Sequence, residues 1–154
     1  MASEPVPVPD PAAPAREQIF QVIDARLAPG VASYERQPSS DPAKFPARHV
    51  FDNGERPVGS ESGATTRKTL TITVEGYVEG HSGAGAHAAL NALHASTVAL
   101  MMTEPPLGGL VETIEEARDL RVDVAELANK RRLGFSQDFE VTFSTVRGDP
   151  GKFA

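Results

Sequence analysis

From Arg67 to Gly80 the chain reads RKTLTITVEGYVEG, and no other stretch limits its fold so strongly. Leu70, Ile72, Val74, Gly76 and Val78 fall on one side of an extended segment, and Thr69, Thr71, Thr73, Glu75, Tyr77 and Glu79 on the other. Alternation with a period of two belongs to a strand and not to a helix, whose period is 3.6. One apolar and one polar face describe a strand in a sheet covered on one side, with its second face polar and available. The last long segment repeats the pattern: Leu133, Phe135, Phe139, Val141 and Phe143 alternate with Gly134, Ser136, Asp138, Glu140, Thr142 and Ser144.

Two segments supply helices to cover such a sheet. In REQIFQVIDARL, Ile19, Phe20, Ile23 and Leu27 recur at three- and four-residue steps, and Pro29-Gly30 ends the run. Ala86 to Met102 forms a second stripe from Leu90, Leu93, Thr97, Leu100 and Met101, closed by PPLGG. FPARHVF, with Phe45, Ala47, Val50 and Phe51 apolar, predicts a first strand, and Val31 to Tyr34 a short extended piece. Asp52 to Thr66 is rich in polar turn-formers and glycine and reads as a long loop. Between Leu110 and Arg132, a strand near Leu110 to Ala117 competes with helix through EEARDL; the short link from Pro105 to Gly109 favours the strand.

The expected fold is therefore α+β in the order α-β-β-α-β-β, with two helices on one face of a four-stranded, mostly antiparallel sheet. Residues 1–13, with proline at five positions up to Pro14 in MASEPVPVPDPAAPA, read as a flexible arm; 14–147 form the single domain, and 148–154 a frayed tail.

Totals exclude several functions. A formal charge of −6 argues against a dedicated nucleic-acid binder, which needs clustered Lys and Arg to neutralise phosphates. The absence of cysteine removes disulfides, thiolate metal sites and a cysteine nucleophile. No apolar run reaches 18 residues, and the N-terminal stretch lacks the basic start and apolar centre of a signal peptide, so a soluble chain made in the cytoplasm is expected.

Candidate chemistry is sparse. His87, Asn91 and His94 share one side of the second helix, with His81 just before it, but imidazoles two turns apart stand about 10 Å apart along the axis, too far to share one ion. Glu112, Glu115, Glu116 and Asp119 have no apolar enclosure to raise a carboxyl pKa for acid–base work. The glycines near residues 83–85 and 108–109 lack the lysine and strand-to-helix context of a phosphate loop, and Ser39, Ser40 and Ser60 lack a nucleophile elbow. No catalytic, cofactor or metal residue is assigned. A small ligand-binding regulatory domain and a metal-dependent enzyme are the readings of other classes.

The succession REQIFQVIDARL, FPARHVF before a polar loop, RKTLTITVEGYVEG, AHAALNALHASTVALMM running into TEPPLGGLVETI, and FSQDFEVTFSTV resembles the tail terminator, or tail completion, proteins of tailed bacteriophages over roughly residues 16–146. Other phage neck and head–tail joining proteins look similar. The resemblance implies a non-enzymatic virion protein: a ring of about six copies that caps the head-proximal end of the tail tube, stops its polymerisation and joins it to the head connector. Its partners would be further copies of itself, the major tail tube protein and the connector or neck proteins, with DNA only passing through and no membrane. Composition and placement nominate Asn53, Glu55, Arg56, Glu61 and Arg67 for contact with the tube or the next ring. Lys130, Arg131 and Arg132 are candidates for subunit or lumen contacts, and Glu75, Tyr77 and Glu79 for a lumen face whose acidic groups repel DNA.

Overall fold

The computed structural model describes residues 7–59, 63–127 and 130–154, with side chains described outside 125–130. Helix α1 spans Ala15–Leu27, strands β1 Ser33–Arg36, β2 Ala47–Gly59 and β3 Thr65–Gly80, helix α2 Gly83–Met101, and strands β4 Thr113–Leu127, β5 Lys130–Val146 and β6 Asp149–Phe153. A 3-10 turn at Pro106–Gly109 links α2 to β4.

The sheet corrects the expected architecture. It has six strands in the order β1-β2-β3-β5-β4, with β6 added on β5, instead of four. It is mixed, since β1 runs parallel to β2 while the other pairs are antiparallel. It also curls into a half-barrel and does not lie as a layer under two helices. Bulges drive the curl. Register shifts fall between Asp52 and Glu55 and between Pro57 and Gly59 in β2, and between Ala117 and Arg121 in β4, and each extra residue adds bend and local twist.

Three local readings change with it. The polar stretch expected as a long loop is largely strand: β2 runs on to Gly59 against β3, with Glu55 opposite Leu70 and Arg56 opposite Thr69. Its side chains from Glu55 onward are exposed, so alternation gives no burial signal there. Beyond Ala117 the β4 strand continues as far as Leu127 after a bulge in which Arg118 takes φ +59°. The terminal GDPGKFA does not fray, because β6 pairs with β5 at Thr145–Phe153 and Phe153 packs edge-on to Phe143.

The core lies where the helices meet the apolar side of β3 and β5. Ile19, Phe20, Ile23 and Leu27 of α1 are buried with Val50, Leu70, Ile72, Val74, Phe139, Val141 and Phe143, and with Met101 from the end of α2. Burial of each such side chain contributes roughly 1.5–3 kcal/mol, enough for the α1 stripe to fix that helix on the sheet. A second cluster, Val78, Ala86, Leu90, Leu93, Leu133 and Phe135, sits under the first half of α2. That helix begins at an N-cap, Ser82, whose Oγ accepts from the Gly85 amide at 3.1 Å.

Candidate functional site

The strand side expected to stand open is partly covered. Thr69 and Thr73 are buried, and Asp138 of β5, opposite Thr73, is only 5% exposed. Thr73 Oγ1 donates to Asp138 Oδ1 at 2.5 Å, and Asn53 Nδ2 donates to the same hydroxyl oxygen. Arg118, at the β4 bulge and largely exposed, donates Nη1 to Asp138 Oδ2 at 2.7 Å. Burial works to raise the Asp138 pKa, but the Thr73 hydroxyl and the Arg118 guanidinium outweigh it and hold the carboxyl below its usual range.

Farther along β3, alternation places Glu75, Tyr77 and Glu79 on one side, and the structure brings the first two into one cleft, whose walls do not include Glu79. Tyr77 and Glu75 line a cleft of about 220 Å³ with Asp41, Phe45, Asp123, Arg132 and Ser136 among its other walls. The Tyr77 hydroxyl donates to Glu75, and burial first, then this carboxylate, pushes its pKa well above the ordinary phenol value. Arg132 Nε donates to Glu79 Oε2 at 3.1 Å, and its guanidinium carbon lies 4.8 Å from the centre of the Phe45 ring.

The other nominated residues are mostly engaged within the chain. Glu55 accepts from Arg16 Nε at 2.9 Å and pairs with Lys68 at 3.2 Å, while Arg16 also reaches Asp52 at 2.8 Å. This network ties the start of α1 to the β2–β3 hairpin. Arg67 pairs with Glu112 at 2.8 Å, and Arg56, with its side chain 63% exposed, lies 3.9 Å from Glu140. A side chain at Gly83 would collide with Arg131 Nη1 at 2.3 Å, which places that guanidinium against the start of α2. Glu61 and the Lys130 side chain lie outside the described residues.

The helix histidines do not converge. His87 is exposed, whereas His94 packs edge-on to Phe135 and its Nε2 lies 3.2 Å from Gln137 Oε1. Among the described residues no group of three His, Cys, Asp or Glu side chains is placed to hold a metal. No helix among them is long and apolar enough to cross a membrane.

Sequence reasoning missed the most buried charge. Arg48 in β2 is 2% exposed and donates Nε to Thr97 Oγ1 at 2.8 Å, Nη2 to Ser96 Oγ at 2.9 Å, and Nη1 to the Leu27 and Pro29 carbonyl oxygens at 2.9 and 3.2 Å. The carbonyl at the end of α1 carries the negative end of the helix dipole, a suitable partner for a buried cation. Burial lowers the Arg48 pKa without removing the charge at neutral pH. His49, next to it, is buried between Phe51 and Tyr77 with no hydrogen-bond partner for Nε2. The clue to both lay in their position, since Ala47 to Val50 are all buried and polar residues inside such a run must face the interior.

No family model matches the chain, and no curated protein matches it. A search of solved structures finds similarity to a chain of the virion of a native gene transfer agent particle, at 15% identity and a TM-score of 0.39, covering 80% of this chain and 91% of that one. A likeness of that degree carries no argument about function.

Proposed function

We propose that this chain is a structural component of a phage-type virion and acts as a tail terminator: a ring of about six copies that caps the head-proximal end of the tail tube and receives the head connector. The observation that carries this reading is where the unoccupied binding capacity lies. Most polar groups inside the molecule, His49 Nε2 and Thr145 Oγ1 excepted, are spent on holding sheet and helices together, as Arg48 and Asp138 are, and at the surface the Arg16–Glu55–Lys68 network does the same. What is left to the tube and the connector is strand surface in the exposed half of the β2–β3 hairpin. A protein whose work is to dock on a tube end and stop its growth needs edges and surfaces, and no enclosed reaction site. The reading is non-enzymatic, and the cleft walled by Asp41, Glu75 and Asp123 would face passing DNA.

The test is to add the purified chain to polymerising subunits of the tail tube protein encoded with it. Short tubes with a ring of density at one end are the expected result. Tubes that grow to the same length distribution with bare ends would overturn the reading.

A further inference from the structure

Strand β4 ends the sheet, so among the described residues its outer edge has no neighbour. Among the described strand residues it also carries the most exposed large apolar side chains: Leu120, Val122 and Val124 are 43%, 48% and 61% exposed. Val122 and Val124 stand opposite Phe135 and Leu133, which α2 buries, so the apolar face of the sheet runs on past the helix onto bare strand. Arg121 and Asp123 are exposed and lie opposite Ser136 and Gly134, on the other face.

We infer that β4 is a self-pairing edge: two copies join antiparallel about a two-fold axis at Val122. The segment LRVDV is complementary to itself in that register. Val122 meets Val122 of the second copy, Leu120 meets Val124 twice, and Arg121 meets Asp123 twice, so one face gains an apolar ladder and the other two opposite-charge pairs. Registers displaced by two residues along the antiparallel pair set Arg121 against Arg121 or Asp123 against Asp123, and like charges directly opposite are unfavourable. Protected edges normally carry charge that repels any strand. Here the charges instead choose one partner, this same segment.

A two-fold contact closes on itself and cannot build a ring, so this inference goes beyond the tail terminator reading and stands or falls separately from it. Five residues a side bury less than a standard interface, and reversible association in the micromolar range or weaker follows.

The chain has no cysteine, which allows a direct test on the full-length protein. Val122→Cys places two thiols at the axis, within reach of a disulfide. It should form a covalent dimer at least tenfold faster than Val58→Cys, a control at 39% exposure on the opposite hairpin. In sedimentation equilibrium, Arg121→Asp or Asp123→Arg alone should weaken dimerisation at least tenfold, and the double exchange should restore it. The inference is overturned by a wild-type protein that stays monomeric at millimolar concentration, by equal oxidation of the two cysteine variants, or by a double exchange that fails to rescue.

Discussion

The ring of Phe135 fills the space that a side chain at Gly76 would occupy: a Cβ there would come within 2.2 Å of Phe135 Cε1. The two residues face each other across β3 and β5, and one position along, on the other face, Tyr77 covers Gly134 in the same way, with a Cβ at Gly134 only 3.1 Å from Tyr77 Cδ1. Each ring lies over a glycine of the neighbouring strand, so two aromatic side chains fit on opposite faces of the sheet at one level.

Gly76→Val should accordingly destabilise the protein by about 1–3 kcal/mol through overpacking, since Leu93 Cδ2 also stands 3.0 Å from the added atom and the ring has little room to retreat. Combined with Phe135→Leu, the substitution should cost less than the sum of the two single changes. Urea unfolding of the three variants reads this directly, and additive costs would show that the ring does not need the glycine.

Arg48 makes a different prediction. Replacing it by Met removes the cation but leaves the Leu27 and Pro29 carbonyl oxygens and the Ser96 and Thr97 hydroxyls without their shared donor. A loss of roughly 2–4 kcal/mol is expected, reflecting several buried polar groups left unpaired. Arg48→Lys should recover little, because one ammonium cannot reproduce a planar fork reaching α1 and α2 together. Thermal unfolding of both variants provides the check.

The parts of this molecule that the sequence made legible are those governed by solvent. The α1 stripe, the apolar face of β3 and the alternating half of β5 all contrast buried with wet positions, and their periods were readable. Where both sides of a strand are exposed, as from Glu55 to Gly59, or where a bulge resets the phase, as at Arg118 to Leu120, that contrast vanishes and strand looks like loop. Of the two additional strands, β1 was foreshadowed by the short extended piece expected at Val31 to Tyr34, whereas β6 is short and depends on β5 for its hydrogen bonds, so no local pattern announces it. Of the nominated site residues, Glu75 and Tyr77, two apart on one side of β3, meet in one cleft. Arg16's hold on Glu55, a contact spanning 39 residues, is tertiary information that no window of sequence contains.

Asp138 supplies the pH dependence. Its folded-state pKa is depressed, so its contribution is fully present above the unfolded-state value near 4 and is lost as the pH falls through the lower folded value. Asp138→Asn should therefore cost about 2 kcal/mol at pH 7, where the buried carboxylate accepts from Thr73 and Arg118, and much less at pH 2–3. Denaturant midpoints of the two proteins measured across that range should converge on the acid side. A constant gap would mean that packing, not the charge, is what the carboxylate contributes.

The basic pair at the start of β5 tests the assembly reading most sharply. Arg132 bridges Glu79 and the Phe45 ring, and Arg131 lies against the start of α2, so both guanidinium groups help shape the surface around the acidic cleft. The half-buried Arg132–Glu79 pair at the surface is worth about 1 kcal/mol to folding, and the double reversal Arg131→Glu with Arg132→Glu should leave a folded protein with its melting temperature lowered by only a few degrees. Its effect on assembly should be much larger if the proposed ring forms through them, because reversing both residues changes the local charge by four units at the surface the proposal gives to a neighbouring copy. Capping of growing tail tubes is expected to fall by at least tenfold, and Arg132→Gln alone should give an intermediate loss. If the doubly reversed protein, shown by circular dichroism to be folded, still caps tubes at wild-type concentration, Arg131 and Arg132 are not subunit contacts.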